Sequence, residues 1–224
     1  MRSLLRFALF AATIVSLRAE ELKEILARMD QAANKFQSFT ATTKRTEFTA
    51  VLSQTEESAG SVRLRKGKGG TQGIVEFTEP NPRTIHIAGK TLEIFYPGAN
   101  TVEIYDAGKH ITTADEILLM GFGVSGAELR KNYDIKLAGT ETLNGEKTSR
   151  LELVPKSDEV RKLATKIELW IPEGKNNPVQ EKLTQPSKNY QLVSFSNVKL
   201  NVPLADSDYS LKLPSGVKKI YPQK

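Results

Sequence analysis

Apolar residues recur at helical spacing over residues 21–37. Leu22, Ile25, Leu26, Met29, Ala32, Ala33 and Phe36 share one stripe, and Lys23, Glu24, Arg28, Asp30 and Lys35 occupy the other face. That periodicity predicts an amphipathic helix packed on a core. From residue 39 the period changes to two, and turn residues arrive every eight to twelve positions, which predicts a run of short strands. The first, residues 39–57, is a long polar strand or a bent pair. Ser61-Val62-Arg63-Leu64-Arg65 and Ile74-Val75-Glu76-Phe77-Thr78 alternate around the Gly67–Gly70 turn, and Pro80 and Pro82 stop the second. Strands follow at 84–88, 91–96 and 101–105.

The alternation breaks near residue 112. Ile117, Leu118, Leu119, Met120 and Phe122 form a short apolar cluster, read either as a plug in the core or as a mobile lid. Ser125 and Glu128 have capping-box spacing and predict a short helix ending near Lys131. Strands resume at 133–139, 147–155, 163–171, 178–185, 189–200 and 208–213. Asn144-Gly145 between two of them is a hairpin signal. No linker, repeat or low-complexity tract divides the chain.

Ten or eleven antiparallel strands rarely stay flat; they curl or close. One set of alternating positions is apolar: Val62, Leu64, Val75, Phe77, Ile85, Ile87, Leu92, Ile94, Leu151, Leu153, Ile167 and Leu169. A curled sheet lined by these side chains encloses a greasy interior. With only short helices to fill it, room for a ligand is expected.

The N-terminus changes the accounting. Arg2 and Arg6 precede an uncharged apolar run from Phe7 to Leu17, and the acidic pair Glu20-Glu21 follows Ala19. The run is too short to span a bilayer and reads as a signal peptide over residues 1–19, with one domain over 20–224. The net charge of +6 falls to +3, because three arginines and no acid leave with it. The remaining basic residues are dispersed, so no nucleic-acid partner is expected. There is no cysteine, so an exported fold must stand without disulfides and the chain cannot carry a lipid on a cysteine.

Catalytic signals are poor. His86 lies on the polar face of its strand, where solvent exposure is expected, and His110 has no carboxylate at ligand spacing. No metal or cofactor is expected. Gly123-Val124-Ser125-Gly126 lacks nucleophile-elbow spacing, and Ser125 reads as a helix cap. Gly67–Thr71 lacks phosphate-loop spacing. Glu76 and Glu79 fall on opposite faces of one strand. Trp170 points away from the Ile167–Leu169–Ile171 set, toward packing or a partner. The chain is expected to be no enzyme.

Gly89-Lys90-Thr91-Leu92-Glu93-Ile94-Phe95-Tyr96-Pro97, Val75-Glu76-Phe77-Thr78-Glu79-Pro80 and Leu213-Pro214-Ser215-Gly216-Val217 resemble segments of the LolA family of periplasmic lipoprotein carriers, and the order of elements resembles that family across the chain from residue 20. The resemblance implies a mainly β fold: a half-open antiparallel barrel of about eleven strands under a lid of short helices. It implies a periplasmic monomer that binds acyl chains of lipoproteins, or of another envelope lipid, along the apolar wall together with Leu118, Leu119 and Phe122. An inner-membrane ABC-type release complex and an outer-membrane acceptor would be its partners. The family's Arg-Pro pair, which governs opening and transfer, falls here at Lys66-Gly67, and Gly73 stands where the family places a large side chain. Lys66 keeps the charge without the planar fork of donors, which puts a lipoprotein cargo in doubt. The same fold also serves non-enzymatic sensors that bind a membrane protein's periplasmic part, and that alternative predicts a filled interior with an exposed apolar patch.

Overall fold

The computed structural model describes residues 22–67, 70–106 and 122–222. The expected signal peptide, His110, Leu118 and Leu119 lie outside the described residues.

Helix α1, residues 22–35, presents Ile25, Leu26 and Met29 to the core. Strands β1 (Ser38–Thr49), β2 (Gln54–Gly67), β3 (Gly70–Glu79), β4 (Arg83–Ala88), β5 (Thr91–Tyr96) and β6 (Thr101–Asp106) form a meander. Helix α2 (Gly126–Asn132) leads into β7 (Tyr133–Leu143) and β8 (Glu146–Pro155). After α3 (Asp158–Leu163) come β9 (Lys166–Pro172), β10 (Gln180–Thr184), β11 (Tyr190–Leu200) and a final short strand β12 (Lys218–Ile220). The twelve strands among the described residues belong to one open sheet in the order β12-β6-β5-β4-β3-β2-β1-β11-β10-β9-β8-β7. Among the described residues the sheet does not close, and β12 and β7 are its edges.

Local chemistry accounts for the boundaries. Ser125 caps α2, its hydroxyl accepting from the Glu128 amide, which satisfies an otherwise orphaned donor. Asn144 and Gly145 both take positive φ, 50° and 81°, as the tight β7–β8 hairpin requires. At Gly60 the β2–β3 register shifts, and a Cβ there would collide with the Glu76 carbonyl. The bulge lets the sheet bend.

That bend is measurable. Arg83 on β4 and Glu47 on β1 are three strands apart, which in a flat sheet is roughly 14 Å. Their side chains nevertheless approach to 3.4 Å. Across the concave face, aligned pairs carry apolar side chains from strand to strand: Leu64 opposite Phe39, Val62 opposite Ala41 and Val75, Ile85 opposite Val75 and Ile94. Leu169 lies opposite Leu151, and Ile167 opposite Leu153 and Leu183. These form one buried cluster with α1, Phe122 and Leu129.

Three elements depart from the sequence expectation. Residues 208–213 are not a strand; Asp206–Tyr209 is a 3-10 turn. It packs Tyr209 against the convex face of β2 and β3, where the Arg65 guanidinium lies 4.3 Å over the ring. Strand β12 pairs in parallel with β6, an arrangement that antiparallel patterning did not anticipate. Helix α3 also went unforeseen, although Ser157 caps it by accepting from the Glu159 amide, and Asp158 and Glu159 begin it.

Candidate functional site

The concave wall is built from alternate residues of β1–β5 and β8–β11. Val62, Leu64, Val75, Phe77, Ile85, Leu92, Ile94, Leu151, Leu153, Ile167 and Leu169 are all buried in one cluster, and Ile87 is partly buried against it. The structure thus brings together on one wall every strand residue named from the alternation. Phe122 joins them: its ring stacks on Phe39 at 3.8 Å and meets Phe195 edge-on at 4.9 Å. Two short helices cover this wall. Gly126 of α2 sits so close to Leu26 of α1 that a Cβ would strike the Leu26 backbone. Asp30 on α1 accepts from the Ala127 amide at 2.8 Å. The described wall is therefore filled by the protein's own side chains.

The wall is not uniformly apolar, which corrects the sequence expectation. Toward the β1–β2 turn it becomes polar. Arg45 is 3% exposed, Thr43 and Ser58 3% each, and Glu181 fully buried. Glu47 accepts from Arg45 at 2.8 Å and from Arg83 at 3.4 Å. Both guanidiniums lie over the Phe77 ring, at 5.5 and 4.8 Å, a cation–π arrangement strengthened by exclusion of water. The buried Thr43 Oγ1 and Gln191 Oε1 have no hydrogen-bond partner among the described residues. Residues 39–57 read as a polar strand, and nothing in the alternation said that Arg45 and Glu47 turn inward.

Lys66, one residue before the end of β2, is exposed; its amide donates to the Gln37 carbonyl at 2.8 Å, tying β2 to the chain just after α1. At Gly73 the Leu64 side chain occupies the space a Cβ would take, so Leu64 supplies the bulk on that row. His86 is not free in solvent: on the convex face its Nδ1 lies 2.7 Å from Glu93 Oε2. Trp170 is 5% exposed on the convex face of β9, away from Ile167, Leu169 and Ile171. Among the described residues, no three His, Asp or Glu side chains converge as a metal site.

Two tyrosines at the site are strongly perturbed. Burial, with the Glu103 carboxylate accepting its hydroxyl at 2.8 Å, pushes Tyr105 up to about 12. Burial alone pushes Tyr133 up to about 12. Both stay neutral at physiological pH, as donors rather than bases.

Two cavities, of about 570 and 500 Å³, share Asn144, Phe195 and Ser196. The larger has a mixed lining near the β7–β8 turn, with Leu143, Val179, Val198 and Leu200 beside Asn144, Asn176 and Asn177, and the smaller is mainly polar, with Thr42, Thr43, Ser58 and Ser194. Neither is lined by the wall residues Val62, Leu64, Val75, Ile85, Leu151 or Leu169.

No curated protein sequence matches the chain. Solved structures share its fold at low identity. An uncharacterized conserved protein from Thermus thermophilus is 15% identical with a TM-score of 0.56, covering 89% of this chain and 98% of that one. MucB is 13% identical with a TM-score of 0.53; the match covers 86% of this chain and 63% of MucB, which has also been solved in complex with MucA from Pseudomonas aeruginosa. A LolA superfamily protein from Nitrosomonas europaea is 17% identical, with a TM-score of 0.41 over 84% of this chain and 97% of that one. The sequence profile of the outer membrane lipoprotein carrier protein LolA matches residues 34–212. With four-fifths of its length so matched, on an open sheet whose apolar face lies beneath helices, this chain belongs to the LolA family.

Proposed function

We propose that this chain is an envelope carrier that takes the acyl chains of a lipoprotein or another membrane lipid against the concave wall of its sheet. One observation carries the reading. Among the described residues, the apolar part of the wall on β2–β5, β8 and β9 faces helices α1 and α2 and Phe122 rather than a second sheet. Each buried methylene contributes about 0.8 kcal/mol, so one long acyl chain can offset the packing energy given up when the helices swing away. On this reading Phe122, Met29 and Leu129, packed against the wall, stand where hydrocarbon goes. Leu118 and Leu119 are proposed, from the sequence alone, to touch the same acyl chain. The polar belt of Arg45, Glu47, Arg83, Thr43 and Gln191 takes the head group, since unmet polar atoms beside an apolar wall suit an amphiphile better than pure hydrocarbon. Lys66, at the tie between β2 and α1, gates opening. The chain works in the periplasm as a monomer, after loss of its signal peptide. It receives cargo from an inner-membrane ABC-type complex and yields it to an outer-membrane acceptor.

Native mass spectrometry of the purified chain, with extraction and identification of bound lipid, tests this directly. Co-purified lipid, or uptake of a fluorescent fatty acid, is expected. Empty protein that takes up no fatty acid overturns the reading. The filled wall favours a second reading, a sensor that binds a protein partner through its surface. A stable complex with a periplasmic segment of a membrane protein, and no lipid uptake, would favour it.

A further inference from the structure

The turn joining β1 to β2 breaks a local rule. Turns favour glycine, proline, asparagine, aspartate and serine, yet this one places Val51 and Leu52 at its apex, 88% and 61% exposed. They are the two most exposed large apolar residues among those described. Such violations without structural benefit concentrate at functional places.

The apex is held firmly. The Leu52 amide donates to the Thr49 carbonyl and the Ser53 amide to the Ala50 carbonyl, both at 3.2 Å. The Ala50 amide donates to Asn189 Oδ1 at 2.9 Å, which fastens the turn to the neighbouring β10–β11 turn. Directly behind it, Phe48 and Tyr190 stack with centroids 5.0 Å apart, and Lys182 Nζ lies 4.2 Å over the Tyr190 ring. Lys188 is exposed in the adjoining turn. Nearby acids are mostly engaged: Glu47 by Arg45 and Arg83, Glu57 by Lys44, while Glu56 accepts from Asn81. An apolar tip, aromatic rings behind it and lysines beside them match the layers of a bilayer interface: acyl boundary, headgroup level, anionic surface.

We propose that the Val51–Leu52 turn docks this protein on anionic membrane surfaces. Two side chains give a weak, reversible contact, suited to a protein that must leave again. The turn lies just beyond Arg45 and Glu47 on β1, so docking brings the polar end of the concave wall to the lipid headgroups. The inference adds to the carrier reading without depending on it.

The test is co-sedimentation with sucrose-loaded vesicles of phosphatidylcholine containing one-third phosphatidylglycerol, for the parent chain and for V51S/L52S. Both proteins share one N-terminus, so any contribution from residues 1–21 is common to them. The apex lies outside the core, and equal melting temperatures verify that both fold. The double substitution is expected to weaken vesicle binding about tenfold, and K182E/K188E to weaken it further as phosphatidylglycerol increases. Equal binding of parent and V51S/L52S overturns the proposal, as does a parent that does not bind or that prefers neutral vesicles. Fatty-acid uptake in solution, measured on the same samples, separates the two readings. Vesicle binding without uptake leaves docking intact and removes the carrier; uptake without vesicle binding does the reverse.

Discussion

Replacing Phe122 by alanine separates a cavity-filling lid from an ordinary core residue. The ring is 5% exposed, stacked on Phe39 at 3.8 Å and edge-on to Phe195 at 4.9 Å. Burying a phenylalanine is worth roughly 1.5–3 kcal/mol, and each aromatic pair adds about 0.5–1.5 kcal/mol. The loss expected for F122A is therefore about 3–5 kcal/mol, the usual range for such truncations. Urea titration followed by circular dichroism measures it. If Phe122 fills the place of hydrocarbon, the same substitution removes a competitor. A ligand no longer has to expel the ring, so a fluorescent fatty acid should bind F122A at least tenfold more tightly, because about 1.4 kcal/mol of relieved competition suffices. Unchanged or weaker binding by folded F122A would refute the reasoning, since the wall beneath Phe122 would then not be where the acyl chain lies.

Further expectations concern the polar belt, the gate, the bend and the alkaline limit. Arg45→Met leaves Glu47, partly exposed, with Arg83 alone and should change stability by no more than about 1–3 kcal/mol in urea titration, while lowering affinity for a head-group-bearing lipid more than for a plain fatty acid. Lys66→Ala should leave fatty-acid uptake intact and change the rate of transfer to acceptor vesicles, followed by stopped-flow fluorescence. Gly60→Ala forces a Cβ into the Glu76 carbonyl at the bulge and should lower stability by more than about 2 kcal/mol, read as a drop in melting temperature. Tyr133, held at about 12 by burial, ionises near 10 when unfolded. The unfolded chain gives up its proton first, so stability is unaffected below pH 10 and falls as pH rises from 10 to 12, by on the order of 2 kcal/mol. Tyr133→Phe should flatten that decline in melting temperature measured across the same range.

The sequence by itself determined the strands and the wall. Period-two alternation marks which side chains share a face whatever the neighbouring strand, so Val62, Leu64, Val75, Ile85, Leu92 and Leu169 could be named before any contact was known. Turn and cap chemistry is equally local, and Asn144-Gly145 and Ser125 were legible for that reason. Helix α3 was legible too, in Ser157-Asp158-Glu159, but six residues leave too short a period to stand out between strands. The rest was decided by tertiary structure. Arg45 faces inward because β1 must pair with both β2 and β11 in the register that buries Phe39 and Ala41, and a charged residue on that face is carried in with them. Its partnership with Arg83 through Glu47 arises only because the sheet bends at the Gly60 bulge. The closing of the wall by Phe122 and α1 is likewise a fact of packing, since residues 83 positions apart in sequence become stacked rings only after the sheet has curled around them.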